Sequence, residues 1–231
     1  MLKIITTLSL FLIGMLAKGQ EAENRELSSF SKVEVKNGIE VIYTESKMPF
    51  LRVEAENVSV LKNLITEVKG KTLKIYLLKK EDQTALENTI KVYLSTQNIS
   101  SFDVHSNSKI SVMNQITSEN LNIDLKSKGQ FSGTIICNGK TKLVANSGTI
   151  FNGRVETISF VGNFKNNSKI NLSGTTDKAS IEASDSSLLE ARNFIANTIL
   201  LNARGKSKAM IHVQLRMKHE FHIQNIQKKL T

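Results

Sequence analysis

The chain has 231 residues, 31 Lys and Arg against 21 Asp and Glu, and a formal net charge of +10. Its single cysteine excludes an intramolecular disulfide framework, and the absence of Trp argues against a sugar site built on an aromatic platform. The positive charge would suit nucleic acid, but no zinc finger, recognition helix or base-stacking surface is legible, so nucleic acid is excluded as a partner.

Residues 1–19 read as a secretory signal peptide. Lys3 precedes the apolar run Ile4 to Leu16, and Ala17-Lys18-Gly19 supplies small residues for cleavage. No cysteine follows to carry a lipid anchor, and no later apolar stretch is long enough to span a bilayer as a helix. Removing the segment leaves 29 basic and 21 acidic residues, a net charge of +8. An exported chain of that charge, whether in the periplasm, at the outer-membrane surface or outside the cell, meets anionic glycan, lipopolysaccharide, anionic lipid and envelope proteins.

Residues 20–29 are polar and predict a flexible lead-in. From Phe30 the pattern has period two: Val33 and Val35, then Ile39, Val41 and Tyr43, then Leu51, Val53 and Ala55. Such alternation predicts strands with one buried face. Asn37-Gly38 supplies a tight turn tolerant of positive φ, and Pro49, the sole proline, precedes the third run. Val58, Leu61 and Leu64 or Ile65 predict one short helix with Asn57 as its N-cap. Val68 and Leu73-Lys74-Ile75, either side of Lys69-Gly70-Lys71, predict a β-hairpin. Lys79 to Asn88 reads as a charged loop, and Ile90, Val92 and Leu94 as a further strand. Residues 30–98 thus predict an N-terminal β region of antiparallel strands and one short helix, placed to cap the repeated segment beyond it.

From residue 99 to 213 a five-residue motif recurs six times: small, spacer, small, spacer, apolar. The copies are Ser106-Asn107-Ser108-Lys109-Ile110, Ser127-Lys128-Gly129-Gln130-Phe131, Ser147-Gly148-Thr149-Ile150-Phe151, Asn166-Asn167-Ser168-Lys169-Ile170, Ser184-Asp185-Ser186-Ser187-Leu188 and Gly205-Lys206-Ser207-Lys208-Ala209. Their starts lie 21, 20, 19, 18 and 21 residues apart. The period predicts an all-β fold, a parallel β-solenoid (β-helix-like) of about 20 residues per coil. Apolar residues two and four positions before the first small residue share its parity, which predicts that both small columns face inward at a sharp bend. The fifth copy is irregular, with Glu182 where an apolar residue is expected. A second bend is marked by Ser132-Gly133, Asn152-Gly153 and Ser173-Gly174. Residues 214–231 predict two closing strands, around Leu215 with Met217 and Phe221 with Ile223, and a basic tail.

Chemistry is sparse. Cys137 follows Ile135 and Ile136 in a strand-like run and reads as a small core residue. Asp124, Glu156, Glu182, Asp185 and Glu190 fall at different phases of the repeat and predict no column of carboxylates. Asp103, His105 and Ser106 match a hydrolase triad in composition only, because Ser106 has opposite parity and no Gly-x-Ser-x-Gly elbow occurs. His212, His219 and His222 lack the companions of a metal shell, so neither a metal nor a cofactor is expected. These readings favour a non-enzymatic binding or scaffold module over the alternative, a polysaccharide-processing enzyme (lyase or hydrolase) on a β-helix scaffold.

The outward positions beside the recurring bend carry the one functional signal. Eight of eighteen are basic, namely Lys109, Lys126, Lys128, Lys165, Lys169, Arg204, Lys206 and Lys208, and only Asp185 is acidic. Coils stack about 4.8 Å apart, so these residues predict a basic strip along one edge. Such a strip suits an anionic glycan or lipid headgroups, and equally a solvated edge that discourages sheet-to-sheet aggregation.

Phe30, Val33-Glu34-Val35-Lys36-Asn37-Gly38-Ile39-Glu40-Val41 and Leu73-Lys74-Ile75 resemble the N-terminal signature of the head GIN domain family. Ile90-Lys91-Val92-Tyr93-Leu94, leading into Phe102-Asp103-Val104-His105-Ser106, extends the resemblance over residues 30–213. The family is also labelled auto-transporter adhesin. The resemblance implies an exported β-solenoid with no established enzymatic activity and no catalytic residues to carry over. Two departures stand out: Gly-Ile-Asn reads Gly38-Ile39-Glu40, and the usual Gly-Ser-Gly character near the C-terminus is replaced by a basic tail from Arg216 to Lys229.

Overall fold

The structure, a computed structural model, describes residues 21–78, 90–211 and 223–224. The expected signal peptide, the charged loop from Lys79, the three C-terminal histidines and most of the tail lie outside the described residues. Eight short strands come first: β1 (Glu21–Asn24), β2 (Lys32–Val35), β3 (Glu40–Glu45), β4 (Phe50–Ala55), then helix α1 (Val58–Asn63), then β5 (Leu64–Lys69), β6 (Thr72–Leu77), β7 (Lys91–Thr96) and β8 (Ser101–Val104). Five long strands succeed them: β9 (Lys109–Lys126), β10 (Gln130–Asn146), β11 (Ile150–Lys165), β12 (Lys169–Ala183) and β13 (Leu188–Ala203), with β14 (Lys208–Ile211) and β15 (Ile223–Gln224) last. Each long strand bends within its length and pairs in parallel with the next, so the repeats form the β-solenoid that the period predicts.

Register corrects the phase of the fifth copy. Lys169 pairs with Leu188 and Ile170 with Leu189, so this copy begins at Asp185 rather than Ser184. Ile181 and Ala183 then hold the ordinary inward positions, both buried, and Glu182 faces out. The apparent irregularity is a one-residue slip within four consecutive small residues.

Each copy turns through a corner of two left-handed residues. φ is positive at Ser106 and Asn107, Ser127 and Lys128, Ser147 and Gly148, Asn166 and Asn167, and Asp185 and Ser186. Amide-to-carbonyl bonds such as Gly129 N to Lys126 O (2.9 Å) and Ser187 N to Ser184 O (3.2 Å) close the turn. Two positive φ values make it a type I′ turn. The prediction that both small columns face inward is therefore half right. The second column is buried at Ser108, Gly129, Thr149, Ser168 and Ser187, whereas Ser127, Ser147 and Asn166 of the first are exposed. The left-handed pair rotates the chain and breaks the parity rule. The first small residue serves its φ, and only the second serves packing. Ser168 and Ser187 hydroxyls donate to the carbonyls of Lys165 (2.5 Å) and Ser184 (2.6 Å), which lowers the cost of their burial.

The core is a continuous file of aliphatic side chains with a row of rings through it: Tyr43, Phe102, Phe131 and Phe151, centroids 5.4, 5.5 and 5.8 Å apart. Cys137 is buried, as expected, and its thiol donates to Glu119 O at 3.1 Å. Thr157 and Thr176, at the same register, likewise donate to carbonyls at this bend.

The parallel ladder runs back across residue 99, so the N-terminal strands expected to be antiparallel pair in a mixed fashion, parallel where they continue the coils and antiparallel only at β1, β4 and β5. β2 pairs with β8 and β3 with β9, and Asn37-Gly38, both of positive φ, forms one more corner of the same kind. β6 continues the sheet beyond β2, with β5 as its antiparallel partner, while β7 and then antiparallel β4 continue beyond β3. Between those edges sits α1, whose N-cap Asn57 accepts from Val60 N at 3.0 Å and whose Val60 is buried. The lead-in, expected to be flexible, forms a strand where it is described: Glu21–Asn24 pairs with β4, and the Arg25 guanidinium donates to the carbonyls of Leu61 (3.2 Å) and Leu64 (2.8 Å) at the helix C-terminus. A cation capping those carbonyls explains why a polar segment orders there.

Candidate functional site

All eight predicted basic residues lie in columns that flank or form the corner, and they divide into two groups. At the N-terminal side the charge is neutralised. Lys109 Nζ donates to Glu40 Oε1 at 2.9 Å, and Lys126 Nζ to Asp124 Oδ2 at 2.6 Å with Asp103 at 4.0 Å. The hydrogen bond to Asp124 is the chief reason the Lys126 ammonium titrates above its usual range. Among the described residues, Lys128, Lys165, Lys169, Arg204, Lys206 and Lys208 form no ion pair. The strip is also discontinuous. Asn146-Ser147-Gly148 contributes no charge, and the next corner but one carries Asp185.

Register reveals a carboxylate column where the repeat phases predict none. Glu34 pairs with Asp103 and Asp103 with Asp124, and the corrected fifth copy puts Glu182 in the same outward column. Lys36, His105 and Lys126 lie two residues further along the same strands. Lys36 Nζ approaches Glu34 Oε1 at 2.5 Å, Lys74 approaches Glu34 Oε2 at 3.7 Å, and His105 Nε2 lies 2.7 Å from Asp103 Oδ1. Burial alone would raise the Glu34 carboxyl, but the Lys36 ammonium, with Lys74 and His105, holds it below the ordinary value of 4.5. A carboxyl held in its ionised form is a poor general acid at neutral pH. Ser106 occupies the corner at φ 51° and makes no hydrogen bond to His105, so the triad-like trio is not assembled. Among the described residues no group of three His, Cys, Asp or Glu could hold a metal ion.

A lowered folded-state pKa stabilises the protein above the unfolded value, and that contribution disappears as pH falls through the folded value. Glu34→Gln is therefore expected to flatten the fall in melting temperature below about pH 4.5 while leaving the neutral-pH slope unchanged. Thermal melts of both proteins across that range check it, and identical acid limbs would remove Glu34 as a contributor.

On the face that follows the corner there is a shallow depression of about 490 Å³. Ile150 and Leu188 form part of its floor, with Lys169 between them, and Asn152, Asn171 and Glu190 line it one column further on. Arg192 stands at its rim because β13 holds an extra residue here: Asn171 pairs with Glu190, but Ser173 with Asn193. The only trace of this bulge in the sequence is a spacing that changes from 19 residues (Ile170 to Leu189) to 20 (Gly174 to Phe194) along one coil.

A family model described as "Putative auto-transporter adhesin, head GIN domain" matches residues 29–222. A "putative adhesin" from Parabacteroides merdae superposes with a TM-score of 0.73 at 13% identity, covering 83% of this chain and 80% of that one. A "putative adhesin" from Parabacteroides distasonis gives 0.73 at 15% identity over 87% and 94%. A "putative lipid binding protein" from the same species gives 0.59 at 17% identity over 80% and 78%. No protein of curated function matches the chain, and no helix among the described residues is long and apolar enough to cross a membrane. Corners, coil period and family model agree over the same residues, and the chain belongs to the head GIN domain family.

Proposed function

We propose that the protein is an exported, non-enzymatic binding module of the cell envelope whose contact edge is the part of the basic corner from Lys128 to Lys208. The observation that carries this reading is the division of the cations. Acidic partners neutralise Lys109 and Lys126, whereas among the described residues Lys128, Lys165, Lys169, Arg204, Lys206 and Lys208 form no ion pair, although Asp185 lies in the corner between them. Lys128 adds weight, because it holds φ at 63° where the equivalent corner positions carry the smaller Gly38, Asn107, Gly148, Asn167 and Ser186. A left-handed lysine costs about 1–2 kcal/mol relative to glycine there, a cost that a packing role does not explain at an exposed site. Lys128 and Lys206 are four coils apart, roughly 19 Å, a span suited to multivalent contact with an anionic polymer or lipid surface.

Neutralising Lys128, Lys165, Lys206 and Lys208 together to Gln tests this. At about 1 kcal/mol per cation near an anionic surface, affinity for anionic vesicles or a sulfated matrix is expected to fall by two to three decades and to lose most of its salt dependence. Lys109→Gln with Lys126→Gln is the control, expected to change binding little. Equal retention of the fourfold variant and the unsubstituted protein on the anionic matrix would overturn the reading.

A further inference from the structure

We infer that the depression beside the corner is a subsite for an acidic saccharide, in which Arg192 receives the sugar carboxylate. The inference rests on the envelope-binding reading above and names the ligand class that such a module would take. The bulge in β13 throws Arg192 out of the strand, with its side chain 68% exposed. Bulges characteristically re-aim a side chain while bending the strand and interrupting the ladder locally. The guanidinium is only loosely engaged within the protein: Nε forms a long ion pair with Glu190 Oε2 at 3.8 Å, and Nη2 donates to the Met210 thioether at 3.0 Å, a weak acceptor. These two contacts hold the planar fork over the face while leaving it free to take a carboxylate in bidentate fashion.

The surroundings suit a pyranose. Asn152 and Asn171 are register partners in adjacent coils, both exposed and neither hydrogen-bonded within the described residues. Each offers donor and acceptor to ring hydroxyls, and Glu190 adds a further acceptor. Ile150 and Leu188 are half-buried and present an aliphatic floor to the C–H face of a ring, in place of an aromatic platform. Coil spacing sets the amides about 4.8 Å apart, comparable with the rise of one sugar unit in an extended chain. Lys169 and Lys208 border the same face, so a polymer leaving the depression would meet the free corner cations.

Other occupants fit less well. An anionic bilayer is a broad surface, and the half-buried floor of the depression has no protruding side chain to insert into it. A peptide strand would need an open sheet edge, and here the backbone is paired on both sides.

Calorimetric titration with a short oligogalacturonate, its carboxyl-reduced neutral form, and anionic vesicles separates the possibilities. Arg192→Gln is expected to weaken oligogalacturonate binding about tenfold or more and to leave vesicle binding unchanged. Arg192→Lys is expected to recover only part of the loss, since an ammonium is a point charge. Asn171→Ala supplies a second variant that does not touch the bulge, with a smaller expected loss. Thermal melts verify that each variant is folded. Absence of oligogalacturonate binding, undiminished binding by Arg192→Gln and Asn171→Ala, or equal affinity for the neutral form would each overturn the inference. If vesicle binding still disappears in the fourfold corner variant, the corner reading survives that failure; if it does not, both fall.

Discussion

Phe131→Ala is expected to destabilise the protein by about 3–5 kcal/mol, a large share of the 5–15 kcal/mol typical of a folded domain. Phe131 is buried mid-row, with Phe102 at 5.5 Å and Phe151 stacked at 5.8 Å with rings inclined by only 7°. Each ring is fixed to its own coil, and the coils cannot move closer because strand pairing sets their spacing. The cavity therefore stays open, and both neighbours lose a ring face. Phe50, 43% exposed near the N-terminal end, provides the contrast, with Phe50→Ala expected to cost under about 1 kcal/mol. Denaturant midpoints measure both. A cost near 1 kcal/mol for Phe131→Ala would mean that the row fills space without sustaining the core.

Gly174→Ala is expected to cost about 3 kcal/mol or more, through two effects at one atom. A Cβ there would sit 2.1 Å from the Val155 carbonyl oxygen, and φ is +112°, where side-chain-bearing residues rarely go. The obstacle is backbone of the adjacent coil, so no rotamer change relieves it. Gly148→Ala separates clash from conformation. Its φ is +71°, yet the nearest atom to a Cβ is Lys128 Cγ at 3.7 Å, so only the left-handed penalty of about 1 kcal/mol is expected. Equal costs for the two substitutions would show that the close approach to Val155 is easily relaxed.

The solenoid is legible in the sequence because the corner constrains chemistry locally. Two left-handed residues followed by a buried small residue leave few choices, and the pattern returns with every coil. The helix at Val58–Asn63 and the hairpin of β5 and β6 are legible for the same reason, since their caps and turns are local. The hidden features depend on register. Parity assigns Ser127 and Ser147 to the interior because counting by twos fails at the first residue of a type I′ turn, although it resumes beyond the turn. The column through Glu34, Asp103 and Asp124 joins residues on three separate coils, and one member precedes the repeats altogether. The residues of the expected basic strip are exposed or half-buried. Its division into neutralised and free halves needs the positions of Glu40 and Asp124, which the repeat does not reveal. Arg192 escapes notice because a single extra residue within a strand looks like ordinary variation in repeat length.

The corner turns are also joined to one another. Gly38 N donates to Ser106 O, Asn107 N to Ser127 O, Lys128 N to Ser147 O, Gly148 N to Asn166 O and Asn167 N to Asp185 O, all at 2.8–3.1 Å and all in one direction. Each coil thus grips only its two neighbours, as in any one-dimensional stack. Under tension such a stack peels from an end, one coil at a time, instead of failing everywhere at once. Each coil of about 20 residues that detaches releases roughly 65 Å of chain. A solenoid pulled from one terminus is therefore expected to lengthen stepwise under load while the remaining coils stay folded.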